Sequence, residues 1–258
     1  MKSILEPTPL LGRVALVTGG GVGIGQSSAI LLAQAGAIVG IHYHSSSLGA
    51  EQTLRTIQEH GGQAYLLAGD LTVEQQAHAV VDQLIEKTGR LDILFNNAGS
   101  PLRMVPIESC SLEHWKQVFD VNVTSAFLVT QRAIPHLRKS EHGSIINNLS
   151  LSAQTGGSGG GGPYAAAKGA LQVLTRTLAR ELAPKVRVNG IMPGVIATKH
   201  HEVFSTPAKM EDYKKQTPLG RNGVAEEVAQ AVLFLASDAA RFMTGAVIDI
   251  NGGRFMRP

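Results

Sequence analysis

The chain has 258 residues, of which 43% are hydrophobic, and its 23 basic and 20 acidic side chains give a net charge of +3. This length can bury a large core without disulfides or metal ions, and a charged fraction of 17% argues against a disordered chain. The basic residues are scattered rather than clustered, so we expect no nucleic-acid partner.

The single cysteine, Cys110, excludes an internal disulfide and a cysteine-based zinc cluster, and we expect no metal site. No stretch approaches the roughly 20 apolar residues of a membrane span. Residues 1–12 contain no apolar run of signal-peptide length. We therefore expect no membrane partner and a reducing, cytoplasmic location.

Predicted strands and helices alternate along almost the whole chain. Short apolar runs rich in β-branched residues predict buried strands, and apolar residues at helical spacing predict helices. The strands are predicted at 13–18, 37–43, 64–68, 91–95, 145–149, 186–192 and 246–250. The helices are predicted at 24–35, 48–60, 73–88, 112–139, 164–182 and 225–236, and residues 198–218 are expected to be irregular.

This order of elements predicts the fold class. Alternating strands and helices favour an α/β protein with a doubly wound, Rossmann-like parallel sheet of about seven strands and helices on both faces. No linker divides the pattern, so residues 1–258 are expected to form a single domain.

Glycine accounts for 29 residues, and the excess lies at residues 19–25 and 156–162. The first stretch joins a predicted strand to a predicted helix, where the backbone can approach a pyrophosphate and the helix N-terminus favours its charge. From Gly19 the spacing is Gly-x-x-x-Gly-x-Gly. We interpret it as a dinucleotide-binding loop, with a purely structural turn as the alternative. The sequence assigns no role to the second stretch.

Residues 41–47, at the end of the second predicted strand, contain no Asp or Glu. An acidic residue there would bind the adenosine ribose 2′-hydroxyl of NAD. His44, Ser45 and Ser46 could instead receive the 2′-phosphate of NADP, although no arginine is present. The pattern predicts NADP(H) as the preferred cofactor, with NAD(H) also usable; a plain loop in which Ser47 caps the next helix is the alternative.

Four polar residues are candidates for catalysis. Tyr164 and Lys168 share one face of a predicted helix, and a nearby ammonium favours a phenolate, so we expect Lys168 to lower the pKa of Tyr164. Ser150 ends the preceding strand, where it could bond a substrate oxygen. Asn122 interrupts an apolar helix, either as a bonded core residue or as part of a proton path.

Taken together, these motifs resemble those of the short-chain dehydrogenases/reductases over essentially the whole chain. Residues 18–25 are similar to the family's cofactor loop, and residues 96–99 to its Asn-Asn-Ala-Gly element. Residues 70–71 match the adenine contact, and residues 193–198 the Pro-Gly stretch beside the nicotinamide. The cofactor residues that this resemblance implies are Gly19, Gly21, Val22, Gly23, Ile24, Asp70, Leu71, Asn97, Ala98, Gly99, Tyr164, Lys168, Pro193, Gly194, Ile196 and Thr198.

The resemblance also implies a catalytic tetrad of Asn122, Ser150, Tyr164 and Lys168. In the family the tyrosine exchanges a proton with the substrate oxygen, the serine polarises that oxygen, the lysine binds the nicotinamide ribose, and the asparagine holds a water. The spacing between serine and tyrosine is one residue longer here than in much of the family. Ser150 is therefore preferred because it directly follows the strand, with Ser152 as the fallback.

The resemblance implies a small-molecule substrate with a carbonyl or secondary alcohol. The nearest functional resemblance is to 3-oxoacyl-acyl-carrier-protein reductases; sugar or polyol dehydrogenases and a non-catalytic cofactor-binding regulator are the alternatives. Acyl-carrier reductases place basic residues beside the active-site mouth, and the corresponding region here is mixed, with Arg138, Lys139 and Lys185 but also Glu141.

Residues 198–218 are expected to form a substrate lid because they are long, polar and between elements. His200 and His201 within it could touch the substrate, although loop histidines are more often simply solvated. The last strand and turn, residues 244–253, resemble an edge that relatives use for assembly, so a homotetramer is expected.

Overall fold

The computed structural model describes residues 8–198 and 203–257. One sheet of seven parallel strands has the order 3-2-1-4-5-6-7. The predicted α/β class and seven-stranded parallel sheet are confirmed. The strands are β1 (Val14–Val17), β2 (Ile38–Tyr43), β3 (Ala64–Ala68), β4 (Ile93–Asn96), β5 (Ser144–Asn148), β6 (Arg187–Pro193) and β7 (Val247–Ile250).

Helices cover both faces of this sheet. None of those in the described parts of the chain is long and apolar enough to cross a bilayer. They are α1 (Gly23–Gln34), α2 (Ser47–Glu59), α3 (Glu74–Thr88), α4 (Leu112–Phe119), α5 (Ser125–Leu137), α6 (Ser152–Thr155), α7 (Gly162–Leu182), α8 (Pro207–Lys215) and α9 (Ala225–Ala236).

Alternation along the strands explains why there are two apolar layers. In β1, Ala15 and Val17 belong to a core cluster with residues of α1, α2 and α9. Val14 and Leu16 point the other way, into a cluster with residues of α3, α5 and α7. A strand buried on both faces needs a continuous apolar run, and β1 has one.

Strand order places the crevice of the sheet between β1 and β4. The chain builds outward from β1 to β3 and then returns to the other side of β1, so the order reverses at this point. Loops that leave two adjacent parallel strands in opposite directions open a crevice at their carboxyl ends, which is where ligands bind in such sheets.

The structure differs from the sequence prediction in three helical regions, one of which is the short helix α6 that the sequence does not predict. The helix predicted over 112–139 is interrupted by a π-helical segment, Asp120–Thr124, between α4 and α5. Residues 198–218 are not wholly irregular, because α8 lies among them. Pro207 occupies the first turn of α8, and the Thr206 hydroxyl accepts a hydrogen bond from the Lys209 N–H at 3.2 Å. Both are helix-start signals that the sequence reasoning missed.

The basic residues weighed for acyl-carrier recognition lie away from the crevice. Arg138 and Lys139 follow the end of α5, just before β5 begins, and Lys185 lies just before β6 begins. These positions are at the amino ends of the strands, whereas the crevice is at their carboxyl ends. The expectation that this region borders the active-site mouth is therefore wrong.

Candidate active site

The glycine loop between β1 and α1 has a conformation that side chains would prevent. Gly19 and Gly23 have φ of +63° and +55°, a region that favours glycine. A Cβ on Gly25 would lie 2.1 Å from the Gly19 carbonyl oxygen, so the loop packs directly against the first turn of α1. The Gly-x-x-x-Gly-x-Gly spacing therefore allows a close backbone turn at the N-terminus of α1.

His42, a polar residue within the apolar β2, anchors this loop. Its Nδ1 accepts a hydrogen bond from the Gly19 N–H at 3.1 Å, and its Nε2 lies 3.0 Å from the Gly69 carbonyl oxygen. These partners require a neutral ring with the proton on Nε2. Burial, opposed by the bond to Gly69, lowers the pKa of His42 to about 4. The sequence reasoning missed this role, although a histidine amid apolar strand residues was a signal for it.

A chain of amide and hydroxyl groups joins the carboxyl ends of β1, β4 and β5. The Thr18 hydroxyl oxygen accepts hydrogen bonds from the N–H groups of Asn97 and Ala98 at 2.8 and 3.0 Å. Asn97 Oδ1 in turn accepts a bond from Asn148 Nδ2 at 2.9 Å. Asn148 Oδ1 is buried and has no hydrogen-bond partner among the described residues.

A cavity of about 890 Å³ lies along this edge. It brings together most of the predicted cofactor residues: Gly19, Val22, Gly23, Ile24, Ser45, Asn97, Ala98, Gly99, Tyr164, Lys168, Pro193, Gly194, Ile196 and Thr198.

Five predicted cofactor residues do not line the cavity. Gly21 packs against the start of α2, where a Cβ would lie 2.8 Å from Ser46 Oγ. Asp70 Oδ1 is bonded to the N–H and hydroxyl of Thr72, and the side chain of Leu71 is in the core. His44 is exposed, and Ser46, rather than Ser47, occupies the N-cap of α2.

Ser150 and Tyr164 are hydrogen-bonded to each other through their side chains and line the cavity. Ser150 Oγ also accepts a bond from the Ser152 N–H at 3.1 Å. Ser152 lines the cavity as well. Burial raises the pKa of Tyr164 to about 12, and the bond to Ser150 opposes that rise. The phenol is therefore protonated at neutral pH.

Lys168 is only 2% exposed, and its Nζ donates to the Asn148 carbonyl oxygen at 2.7 Å. Burial lowers its pKa to about 7. Nζ lies 5.6 Å from the centre of the Tyr164 ring. The expectation that Lys168 lowers the pKa of Tyr164 is not met in this structure, because burial dominates and Nζ is bonded to the backbone of β5 instead.

Asn122 lies in the π-helical segment and supports the loop after β4. Its Nδ2 donates to the carbonyl oxygens of Ser100 and Val118 at 2.7 and 2.8 Å, and its Oδ1 accepts from the Ser100 N–H at 3.1 Å. A Cβ on Gly99 would lie 2.6 Å from Asn122 Oδ1 and 3.0 Å from Lys168 Nζ. Asn122 therefore lies next to the lysine with both of its amide hydrogens in use.

The second glycine stretch, residues 156–162, forms one wall of the cavity through Gly157, Ser158 and Gly161. It packs closely on the segment after β4: the Val105 N–H donates to the Gly160 carbonyl oxygen at 2.9 Å. Gly160 has φ of +81°, and a Cβ there would lie 2.8 Å from the Met104 carbonyl carbon. Because these residues are glycines, the backbone itself forms this wall of the cavity and packs directly on the backbone of the segment after β4.

The predicted lid also lines the cavity. Val203 and Phe204 line the cavity, as do Tyr213 of α8 and Gln216 just after it. His200 and His201 lie outside the described residues. No cluster of metal-binding side chains occurs among the residues that the structure describes.

Comparison with known proteins gives the family. Residues 20–254 match the family model described as Enoyl-(Acyl carrier protein) reductase. The chain is 39% identical to cyclopentanol dehydrogenase of Comamonas sp. (strain NCIMB 9872), covering 93% of this chain and 96% of that protein. It is 35% identical to glucose 1-dehydrogenase 2 of Bacillus subtilis (strain 168), covering 96% and 97%.

Among solved structures, 7α-hydroxysteroid dehydrogenase complexed with NADH and 7-oxo glycochenodeoxycholic acid superimposes with a TM-score of 0.90. It is 35% identical, and the match covers 96% of each chain. The chain belongs to the short-chain dehydrogenase/reductase family. It is a nicotinamide-dependent oxidoreductase that acts on CH–OH groups.

The role of His42 predicts acid sensitivity. Since the folded state binds this proton only near pH 4 and the unfolded state near 6.5, the free energy of unfolding falls as pH drops through this window. The contribution lost is about 3 kcal/mol. Urea unfolding from pH 7 to 4 should show a shallower loss in His42→Gln than in the parent. His60→Gln, at an exposed histidine, should keep the parental slope; equal slopes in all three proteins would refute the assignment.

Proposed function

We propose that the chain interconverts a ketone and a secondary alcohol at the cavity between β5, α7 and the lid, with NADP(H) preferred and NAD(H) also usable. The observation that carries this proposal is the Ser150–Tyr164 hydrogen bond at the cavity wall, one helical turn from Lys168. A bonded hydroxyl pair can contact one substrate oxygen from two sides, which is what carbonyl polarisation and protonation require.

The residues along the carboxyl edge fit a dinucleotide. Gly19 and Gly23 line the cavity at the N-terminus of α1, where the helix end favours a phosphate. Asn148 Oδ1 is a buried acceptor beside the cavity that suits a group able to donate a hydrogen bond, such as a ribose hydroxyl. When bound there, the nicotinamide supplies or accepts the hydride. Residues 19–24, 97–99 and 193–198 would hold the cofactor.

Proton transfer falls to Tyr164. Because its pKa is about 12, it carries a proton at neutral pH and can give it to a carbonyl oxygen that gains negative charge during reduction. The Ser150 hydroxyl is close enough to Tyr164 to donate to the same oxygen. In the oxidation direction, Tyr164 must release its proton first, and a charged Lys168 nearby would favour that release.

Two substrate classes and one non-catalytic alternative are open. The resemblance of the sequence favours 3-oxoacyl thioesters, whose ketone is the reacting group, and places sugars and polyols second. The basic residues weighed for an acyl carrier lie at the other edge of the sheet, so a free thioester is the form to test first. A cofactor-binding regulator is the third hypothesis, and turnover of any ketone would exclude it. The homotetramer stays a prediction.

The N-terminus of α2 supports the cofactor preference. No carboxylate lies at residues 41–47 to repel a 2′-phosphate. Ser46 occupies the N-cap of α2 without making a side-chain cap bond, so its hydroxyl is not committed to the helix, and the helix N-terminus favours an anion. Ser45 lines the cavity beside it.

Tyr164→Phe tests the function directly. The substitution keeps the ring and removes the proton donor, so cofactor binding should be retained while kcat for ketone reduction falls by about 10²–10⁴-fold. Steady-state kinetics over a panel of ketones, alcohols and 3-oxoacyl thioesters, with cofactor fluorescence titration as the control, measures both. A variant that turns over at nearly the parental rate would exclude Tyr164 as the acid.

The two serines give a matched pair of variants. Ser150→Ala should lower kcat much more than Ser152→Ala, by roughly 10²-fold against a few-fold, because the Ser150 hydroxyl is hydrogen-bonded to Tyr164. The backbone N–H of Ser152 that bonds Ser150 survives its own substitution. The reverse order of effects would assign the catalytic hydroxyl to Ser152.

Cofactor preference can be shifted by adding a charge. The parent should show higher kcat/KM with NADPH than with NADH at a saturating ketone concentration. His44→Asp should move the ratio towards NADH by roughly 10-fold, since a carboxylate repels the 2′-phosphate. His60→Asp, on the exposed end of α2, is the control and should leave the ratio unchanged. A parent that prefers NADH would overturn the proposed preference.

A further inference from the structure

Arg254 stands out among the residues that line the cavity. Of the described lining residues, only Lys168 and Arg254 are cationic, and none is Asp or Glu. Lys168, on α7, is buried, and its Nζ donates to the carbonyl oxygen of Asn148 at the end of β5. Arg254 comes from the turn after β7 and faces the lid helix α8. It is therefore the cation at the substrate end of the cavity.

The guanidinium of Arg254 is held in place on two sides. Its Cζ lies 4.5 Å from the centre of the Tyr213 ring, which is a cation–π stack. Its Nη2 donates to Gln216 Oε1 at 2.8 Å. Both partners are neutral, so they orient the group without neutralising its charge. Arg254 takes part in none of the ion pairs found within residues 8–198 and 203–257.

One edge of the guanidinium is left over. Arg254 Nη1 is buried, yet it has no hydrogen-bond partner among the described residues. A buried charged donor without an acceptor is unfavourable, and native structures normally supply a partner for such a group. An acceptor on a ligand in the cavity would supply this partner, and for a guanidinium the best match is a carboxylate or phosphate, which it can bind through two N–H groups.

The turn that carries Arg254 packs closely on the chain that follows α8. Gly252 and Gly253 have φ of +64° and +83°, and a Cβ on Gly252 would lie 2.6 Å from Thr217 Cγ2. The Leu219 N–H donates to the Gly252 carbonyl oxygen at 3.1 Å, which ties the turn to the chain after α8. The arginine and the lid helix are thus positioned together, and a ligand that bonds Arg254 would also stabilise the lid.

We infer that Arg254 recognises an anionic group, a carboxylate or a phosphate, on the substrate, so that the chain acts on a ketone or alcohol that carries such a group rather than on a neutral one. This inference rests on the proposed function, since it assigns the far end of the substrate whose carbonyl meets Ser150 and Tyr164. It also explains the absence of Asp and Glu from the described cavity wall, because a carboxylate there would repel the ligand.

The test uses pairs of substrates that share the reacting ketone and carry either an anionic or a neutral group at the far end. Levulinate and its homologues longer by one and two carbons are each compared with their methyl esters, and dihydroxyacetone phosphate is compared with dihydroxyacetone. In the parent, kcat/KM should favour the anion at one chain length by at least 10-fold. Arg254→Gln should lower the anion-to-neutral ratio by roughly 10- to 100-fold, and Arg254→Lys by less, because a charged hydrogen bond is lost. Which pair shows the preference distinguishes a carboxylate from a phosphate.

Arg257→Gln is the matched control. Arg257 is three residues further on, is paired with Asp249, and does not line the cavity, so its variant should keep the parental ratio. If neutral and anionic substrates are turned over equally, or if Arg254→Gln lowers both equally, Arg254 only braces the lid and the inference is overturned. Circular dichroism of Arg254→Lys and Arg254→Gln verifies the fold.

A binding experiment separates this inference from the proposed function. Thermal unfolding is followed with hexanoate, hexyl phosphate and hexanol. The anions should raise the melting temperature of the parent but not of Arg254→Gln. If no ketone is turned over while this shift occurs, the proposed function is wrong and anion recognition stands. If ketones are turned over, but neither anion raises the melting temperature of the parent and anionic substrates are not preferred, the proposed function stands and anion recognition by Arg254 is wrong.

Discussion

The crevice depends on one hydroxyl group, that of Thr18. It accepts two backbone N–H groups from the loop after β4, at 2.8 and 3.0 Å, and so joins the two loops that leave the sheet in opposite directions. Without an acceptor there, two buried N–H groups would lose their partners at the point where the strand order reverses. Asn97 and Asn148 extend the same bonding to β5, and the catalytic candidates lie just beyond it.

Burial sets the chemistry of the site more than neighbouring charge does. The pKa of Tyr164 is raised to about 12 and that of Lys168 is lowered to about 7, and burial is the main cause of both. Both shifts favour the neutral forms of a phenol and an amine. A bound ligand that changes the local hydration or charge would therefore change the protonation of both Tyr164 and Lys168.

The sequence predicts the sheet and the glycine loop well because both follow from local patterns. The apolar runs of the strands and the glycines of residues 19–25 can be recognised without knowing which residues they contact. His42, Asn148 and Arg254 are not, because their roles depend on partners such as Gly19 and Tyr213 that are distant in sequence. The same reason explains the misplaced basic residues: a charge in a loop does not reveal which end of a strand it adjoins.

The wall made of residues 156–162 has a consequence for how this protein can change its substrate range. On that side the size of the cavity is set by main chain, and Gly156, Gly157 and Gly160 have positive φ that other residues adopt only with strain. Substitutions that change the shape of the cavity, in nature or in the laboratory, are therefore expected mainly at Met104, Tyr213 and Gln216, whose side chains line the same cavity. Saturation libraries at those three positions would explore new substrates at low cost in foldability, whereas libraries in the glycine wall would yield mostly unstable proteins.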